Sequence, residues 1–357
     1  MSQAVTPTVG SKVGRYALAV ESAEALAAPG FIGRAEDGSL ARVFLVPRAG
    51  TDADAVQRAA AQAKNLSHPH SLRFADVDSI DGRIAISFEH AEGVSLHTLL
   101  AAAGASGLTP GVALRIGLDV LEGLSAAHGG GLAHGELGPH LIFVGTDGNA
   151  RVAGIGVARV LGKALAPKTP SDRLAYIAPE RVKAASAGGA PVADAKCDVF
   201  SAGVLLWEMF AKQRLFAGRL ESAVIQKVLT APVTPLAATA DDIPDGVDEA
   251  LKKALERDPA KRTATAQELA QALEAAFTDG AASHEEVGRV VEELAKKALE
   301  EMRSRLTAAG AIKLNGDLNV PPARPSFPTL DDSWVEQVDV PSTLAARAPP
   351  PPKPSAM

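Results

Sequence analysis

The residues best placed for chemistry lie in one short stretch, GLAHGELGPHLIFV at positions 131–144, which holds His134, Glu136 and His140 but no Lys, Asp or Asn. Glu136 offers a carboxylate that could serve as a general base, and the two histidines could relay protons or join it around a metal ion. No clustered Cys or further carboxylate completes such a site, so no metal is expected there. The structural alternative for Glu136 is a carboxylate that braces its loop, and this is the favoured reading. The single Cys197 has no partner for a disulfide or a thiolate metal site, which fits a reducing compartment. Far from the loop, Trp334 in DDSWVEQVDV is a partner-binding candidate, since an exposed indole in a polar segment has no packing role.

The elements that must position the loop follow from the apolar pattern. FIGRAEDGSLARVFLV, VDSIDGRIAISFEH and FVGTDGNARVAG each place Asp-Gly between apolar runs, the signal of a tight β-hairpin. Ala53 to Leu66 is Ala-rich, lacks Gly and Pro, and reads as one helix between the first two hairpins. After Gly93 helical patterns dominate, beginning with VALRIGLDVLEGLSAAHGGG and continuing through KCDVFSAGVLLWEMFAK, SAVIQKVLT, VDEALKKALERD and TAQELAQALEAAF. Ser283 and Glu286 have capping-box spacing and start a further helix over 283–310, expected to dock on the large lobe rather than form a coiled coil.

With 46% hydrophobic and only 4% aromatic residues, the core must be built from small aliphatic side chains. A net charge of −6 argues against nucleic acid as a partner, which requires a basic face. No secretory leader and no run of about 20 apolar residues is present, so a cytoplasmic chain without a membrane span is expected. Residues 1–12 and the Pro-rich 314–357 segment, ending in ARAPPPPKPSAM, are expected to be disordered. That tail is either a spacer or a ligand for a proline-recognition domain.

Taken in order, these segments resemble the eukaryotic-type Ser/Thr protein kinases of bacteria, over roughly Val13 to Phe277. GLAHGELGPHLIFV is similar to the catalytic loop H-R-D-L-K-P-E-N-I-L, RVAGIGVARV to the D-F-G segment, YIAPERV to the A-P-E element, and CDVFSAGVLLWEM to the helix beginning D-x-x-S-x-G. DPAKRTATAQEL, NLSHPH and FEHAEGVSL match the late D-P-x-x-R element, the turn after the first helix, and the hinge. The resemblance implies an α+β, bilobal fold: a β-rich N-lobe at 13–89 and a larger α-helical C-lobe at 90–278, followed by the C-terminal helix. It also implies structural roles for His134 as a core residue, for Asp198 as an acceptor of loop N–H groups, and for a Glu180–Arg262 pair that ties down the activation segment.

The same alignment leaves the catalytic positions degenerate. Phe44 stands where the family has its strand lysine, Ala59 at the helix glutamate, Gly138 at the loop lysine, Leu141 at the loop asparagine and Gly154 at the D-F-G aspartate. Phosphoryl transfer relies on these groups to hold nucleotide and Mg²⁺, so neither cofactor is expected. Only Glu136, at the base position, keeps relevant chemistry. Gly135 replaces the arginine that would clamp a phosphorylated segment, so activation through Thr169 or Ser171 is not expected. The resulting expectation is a pseudokinase, not an enzyme, serving as a scaffold or regulatory module. Its expected partners are proteins, active kinases and other signalling components among them. The alternative is a divergent Ser/Thr kinase or nucleotide-binding switch that works through Glu136.

Overall fold

In the computed structural model, residues 7–22, 26–189, 193–240, 243–278 and 280–311 are described; Trp334 and the Pro-rich tail lie outside them. The small lobe is an antiparallel sheet of β1 (Lys12–Val13), β2 (Tyr16–Glu21), β3 (Gly30–Ala35), β4 (Leu40–Pro47), β5 (Phe74–Ile80) and β6 (Arg83–Glu89), in the order β1-β2-β3-β4-β6-β5. The Asp37-Gly38 and Asp81-Gly82 turns close the β3–β4 and β5–β6 hairpins. Residues 8–12, expected to be disordered, instead fold back on β2, with Gly10 N–H donating to Leu18 O at 2.8 Å. Helix α1 (Ala53–Ala63) is capped by Asp52 and packs through Val56, Ala59, Ala60 and Ala63, the small face its Ala-rich sequence provides.

The large lobe begins with β7 (Gly93–Ser95), α2 (Leu96–Ala103) and α3 (Pro110–Gly129), followed by the β8 (Ile142–Gly145) and β9 (Ala150–Val152) hairpin. The activation segment holds two short helices, α4 (Ala158–Leu161) and α5 (Pro170–Leu174), and leads to α6 (Pro179–Ser186). Helices α7 (Ala195–Ala211), α8 (Glu221–Thr230), α9 (Asp245–Ala254) and α10 (Ala266–Ala276) complete it. Helix α7 is buried from Cys197 to Ala211, which is why its apolar residues run nearly continuously instead of lining one face.

The C-terminal segment departs from the single helix expected. It forms α11 (His284–Leu294), started by the Ser283/Glu286 capping box, and α12 (Lys296–Ala311), with a break at Ala295. Val287, Val291 and Leu299 are fully buried against the large-lobe core. Helix α12 then turns toward the small lobe, where Arg34 donates to Leu306 O at 3.5 Å. The segment therefore contacts both lobes, with i→i−4 hydrogen bonds from Ala295 N–H to Val291 O and from Leu299 N–H to Ala295 O running through the interruption. Among the described residues no helix is long and apolar enough to cross a membrane.

Candidate functional site

The 131–144 loop hangs from Asp198, whose buried carboxylate accepts the N–H of His134 at 2.8 Å and of Gly135 at 2.7 Å, and also meets His128 Nε2 at 2.9 Å. His134 is wholly buried; its Nε2 donates to Ala153 O at 2.9 Å and its Nδ1 accepts the Glu136 N–H at 3.1 Å. Burial lowers its pKa, so the ring is neutral, a wedge rather than a proton carrier. Gly135 has φ +73°, and a Cβ there would lie 2.6 Å from Ala193, so both conformation and space require glycine.

Glu136 lies beneath the activation segment with its side chain only 5% exposed. Arg173 meets it as a fork, Nε to Oε2 at 2.7 Å and Nη2 to Oε1 at 2.8 Å, the bidentate geometry that makes such pairs strong. Arg181 adds a bond to Oε1 at 3.2 Å and also donates to Gly135 O. The carboxylate thus bonds to guanidinium groups from α5 and α6. Beside it a cavity of about 20 Å³, lined by Gly138, Leu141, Leu165 and Tyr176, has room for a water molecule but not for a sugar or phosphate.

The cleft between the lobes is filled. Phe44, on the central strand β4, is fully buried and packs edge-on against Phe88 at 6.2 Å, which in turn meets Phe74 at 5.6 Å. Its register partner Gly30 leaves it space, since a Cβ there would approach the Phe44 ring at 3.2 Å. Ala59, Leu141, Phe143 and Ala153 join the same apolar cluster, so the cluster continues from one lobe into the other. Arg42, two residues before Phe44 and on the same face, sends its guanidinium over the Phe143 ring at 3.9 Å, and its Nη2 lies 3.3 Å from Gly93 O and 3.5 Å from Ala91 O. The mouth of this region is covered by α12, where Met302 and Arg305 line a remnant cavity of about 60 Å³ with Ile32, Arg42 and Val94.

Further out, the activation segment is pinned to the large lobe. Arg262 donates to both oxygens of Glu180, at 2.7 and 2.8 Å, and these hydrogen bonds hold the Glu180 carboxyl below its usual pKa against the raising effect of partial burial. A buried network joins Tyr176 O–H to Glu208 at 2.6 Å, with Arg214 donating to the Tyr176 oxygen at 3.0 Å. Burial raises the Glu208 pKa.

A protein kinase domain model matches residues 46–274. This chain belongs to the protein kinase family. It is 27% identical over 223 residues to the serine/threonine-protein kinase PrkC of Bacillus subtilis, covering 62% of this chain and 33% of that protein. It is 30% identical over 235 residues to PknL of Mycobacterium tuberculosis, covering 65% and 57%. The chain thus spans between a third and somewhat over half of the length of these relatives. The crystal structure of the Mycobacterium tuberculosis PknI kinase domain shares the fold at a TM-score of 0.59 and 21% identity, covering 76% of this chain and 100% of that one.

These relatives overturn one expectation. The lost lysine and metal positions led to the reading that the chain is not an enzyme, yet the proteins it matches are named serine/threonine protein kinases, so kinship points to an enzyme. The family implies ATP and Mg²⁺, and the residues described do not fit them: Leu141 and Gly154 present no side-chain oxygen to a metal, and Phe44, Arg42 and Phe143 fill the cleft. No step through either group follows from this arrangement.

The structure brings Glu136, Gly138 and Leu141 together at one cavity and Phe44, Ala59, Leu141 and Phe143 in one cluster. His140 leaves the loop's chemistry and stacks on His97 at 3.9 Å. Sequence reasoning missed the destinations of Arg173 and Arg181 and the insertion of Arg42. The available signal was a cation inside the apolar strand ARVFLV.

Proposed function

We propose that this protein is a divergent Ser/Thr kinase-family switch in phosphorylation signalling. In its closed form it is a regulatory binding module for other signalling proteins, active kinases among them. On opening, it is a divergent kinase that works through Glu136, with nucleotide and metal held by groups other than Phe44, Leu141 and Gly154. The observation that carries the proposal is the position of that carboxylate. It lies in the catalytic loop where the family keeps its base, and among the described residues Arg173 of α5 and Arg181 of α6 occupy its oxygens. A protein substrate docking on that segment would compete with Arg173, and the freed Glu136 oxygen would accept the proton of a Ser or Thr hydroxyl.

Opening must also move Arg42 and α12, because a nucleotide cannot share the Phe143 face with the guanidinium. The lone buried thiol of Cys197 supports the cytoplasmic setting we attach to this proposal. Radiolabel transfer from γ-labelled ATP, with Mg²⁺ or Mn²⁺, tests it in the full chain, in Arg42→Ala/Leu299→Asp and in that variant with Glu136→Gln. The expected result is transfer that rises in Arg42→Ala/Leu299→Asp and falls at least about tenfold when Glu136 is also changed. Transfer unaffected by Glu136→Gln would remove that residue from the mechanism.

A further inference from the structure

Outside the cleft, three metal-ligating side chains far apart in sequence converge on the back of the large lobe. Asp119 lies in α3 and is fully buried, His70 lies in the turn after α1, and His284 is the first residue of α11. His284 Nε2 is 3.1 Å from both Asp119 oxygens, and His70 Nδ1 is 3.5 Å from Asp119 Oδ2. One ligand atom from each of the three falls within 4.8 Å of the others. The two imidazoles face each other with rings 20° from parallel and centroids 5.9 Å apart.

The other contacts hold the cluster in place. Ala150 N–H donates to Asp119 Oδ2 at 2.9 Å and Ala150 O lies 3.1 Å from His70 Nδ1, so the β8–β9 hairpin fixes both side chains. Arg115 Nη1 stands 3.8 Å from Asp119 Oδ1, with its Nε turned away to Ala282 O at 3.0 Å. Glu122, one turn further along α3, places Oε2 3.4 Å from His70 Nε2 and is half exposed. His284 is 38% exposed, which leaves a route from solvent to a carboxylate that is otherwise sealed.

Zn²⁺ binds imidazole nitrogen and carboxylate oxygen at about 2.0–2.2 Å in tetrahedral geometry, which sets neighbouring ligand atoms about 3.3–3.5 Å apart. The 3.1 Å between His284 Nε2 and each Asp119 oxygen is close to that spacing, and His70, whose Nδ1 donates to Ala150 O, offers its Nε2 as the ligand atom. We propose that His70, Asp119 and His284 form a binding site for one divalent transition-metal ion of the Zn²⁺ class, with Glu122 or water in the fourth position. Two imidazoles select such a borderline ion over Mg²⁺ or Ca²⁺, which prefer all-oxygen shells. The ion would tie the start of α11 to α3 and to the turn that enters β5. The site owes nothing to the chemistry proposed for Glu136.

The test uses the tag-free full chain, stripped with a chelator and dialysed against Zn²⁺, with Co²⁺ absorption as the probe of geometry. About one ion per chain is expected, with visible Co²⁺ bands of tetrahedral type and a Zn²⁺-dependent rise in unfolding temperature. His284→Ala, at a half-exposed position, should weaken binding at least about tenfold, and His70→Ala likewise, while His97→Ala should not. Much less than one ion per chain, or binding unchanged in both His284→Ala and His70→Ala, would overturn the site. Loss of binding in His97→Ala alone would place the ion at the His97–His140 pair instead and would equally overturn it.

Discussion

At the scale of single residues, charge placement decides what the loop can do. Glu136 is buried with two guanidinium partners, so Glu136→Ala should leave Arg173 and Arg181 facing each other without their counterion. Removing one partner from a buried pair costs about 3–5 kcal/mol, to be read as a lower denaturation midpoint. Phe44→Lys, the change that restores the family residue, should destabilise by several kcal/mol, because it sets an ammonium into the Phe88 and Leu141 cluster with Ala59 in place of a glutamate. Chemical denaturation at pH 7 checks both.

His140 adds a pH dependence. Burial, reinforced by the neighbouring His97, lowers its pKa from 6.5 to about 2. The native ring refuses a proton that the unfolded chain takes up, so its stabilising effect is full above pH 6.5 and is lost as pH falls. Between pH 6.5 and 5 the loss should be roughly 1.5 kcal/mol from this residue. Denaturant unfolding at both pH values, with His140→Asn showing the shallower slope, measures it. At this scale the sequence was legible where burial followed from residue type, as with the apolar Phe44 and Leu141. It was silent on Arg173 and Arg42, because alternation along a strand reveals a face and not the ring that a long side chain reaches across it.

At the scale of elements, the hairpins were readable because Asp-Gly turns and alternating apolar runs act locally. The C-terminal helix was readable only in its start, where Ser283 and Glu286 form the capping box. The interruption at Ala295 carries no local signal, since alanine favours helix, and Val291 and Leu299 are both held in the large-lobe core on either side of it. Leu299→Asp, which buries a carboxylate, should therefore release α12, seen as hydrogen exchange over 296–311 accelerated at least about tenfold. Arg303→Ala should do little, because its pairs with Glu92 and Glu292 are exposed and worth below about 1 kcal/mol.

At the scale of the whole molecule, the two-lobed architecture follows from patterns spread over most of the chain, and seven motifs in family order made it legible. What no local pattern contained was the arrangement between lobes. The cleft cluster joins Phe44 and Phe88 from the small lobe to Leu141 and Phe143 from the large one, and α12 covers its mouth. The proposed metal site is equally long-range, Asp119 and His284 lying 165 residues apart. Under the proposed function, a cleft filled in this way must open before phosphoryl transfer. The most direct test is γ-phosphate transfer by the full chain compared with Arg42→Ala/Leu299→Asp, each with and without Glu136→Gln. Transfer that appears or rises in the opened variant and is lost with Glu136→Gln is the predicted result. No transfer from the opened variant, or transfer indifferent to Glu136, would contradict it.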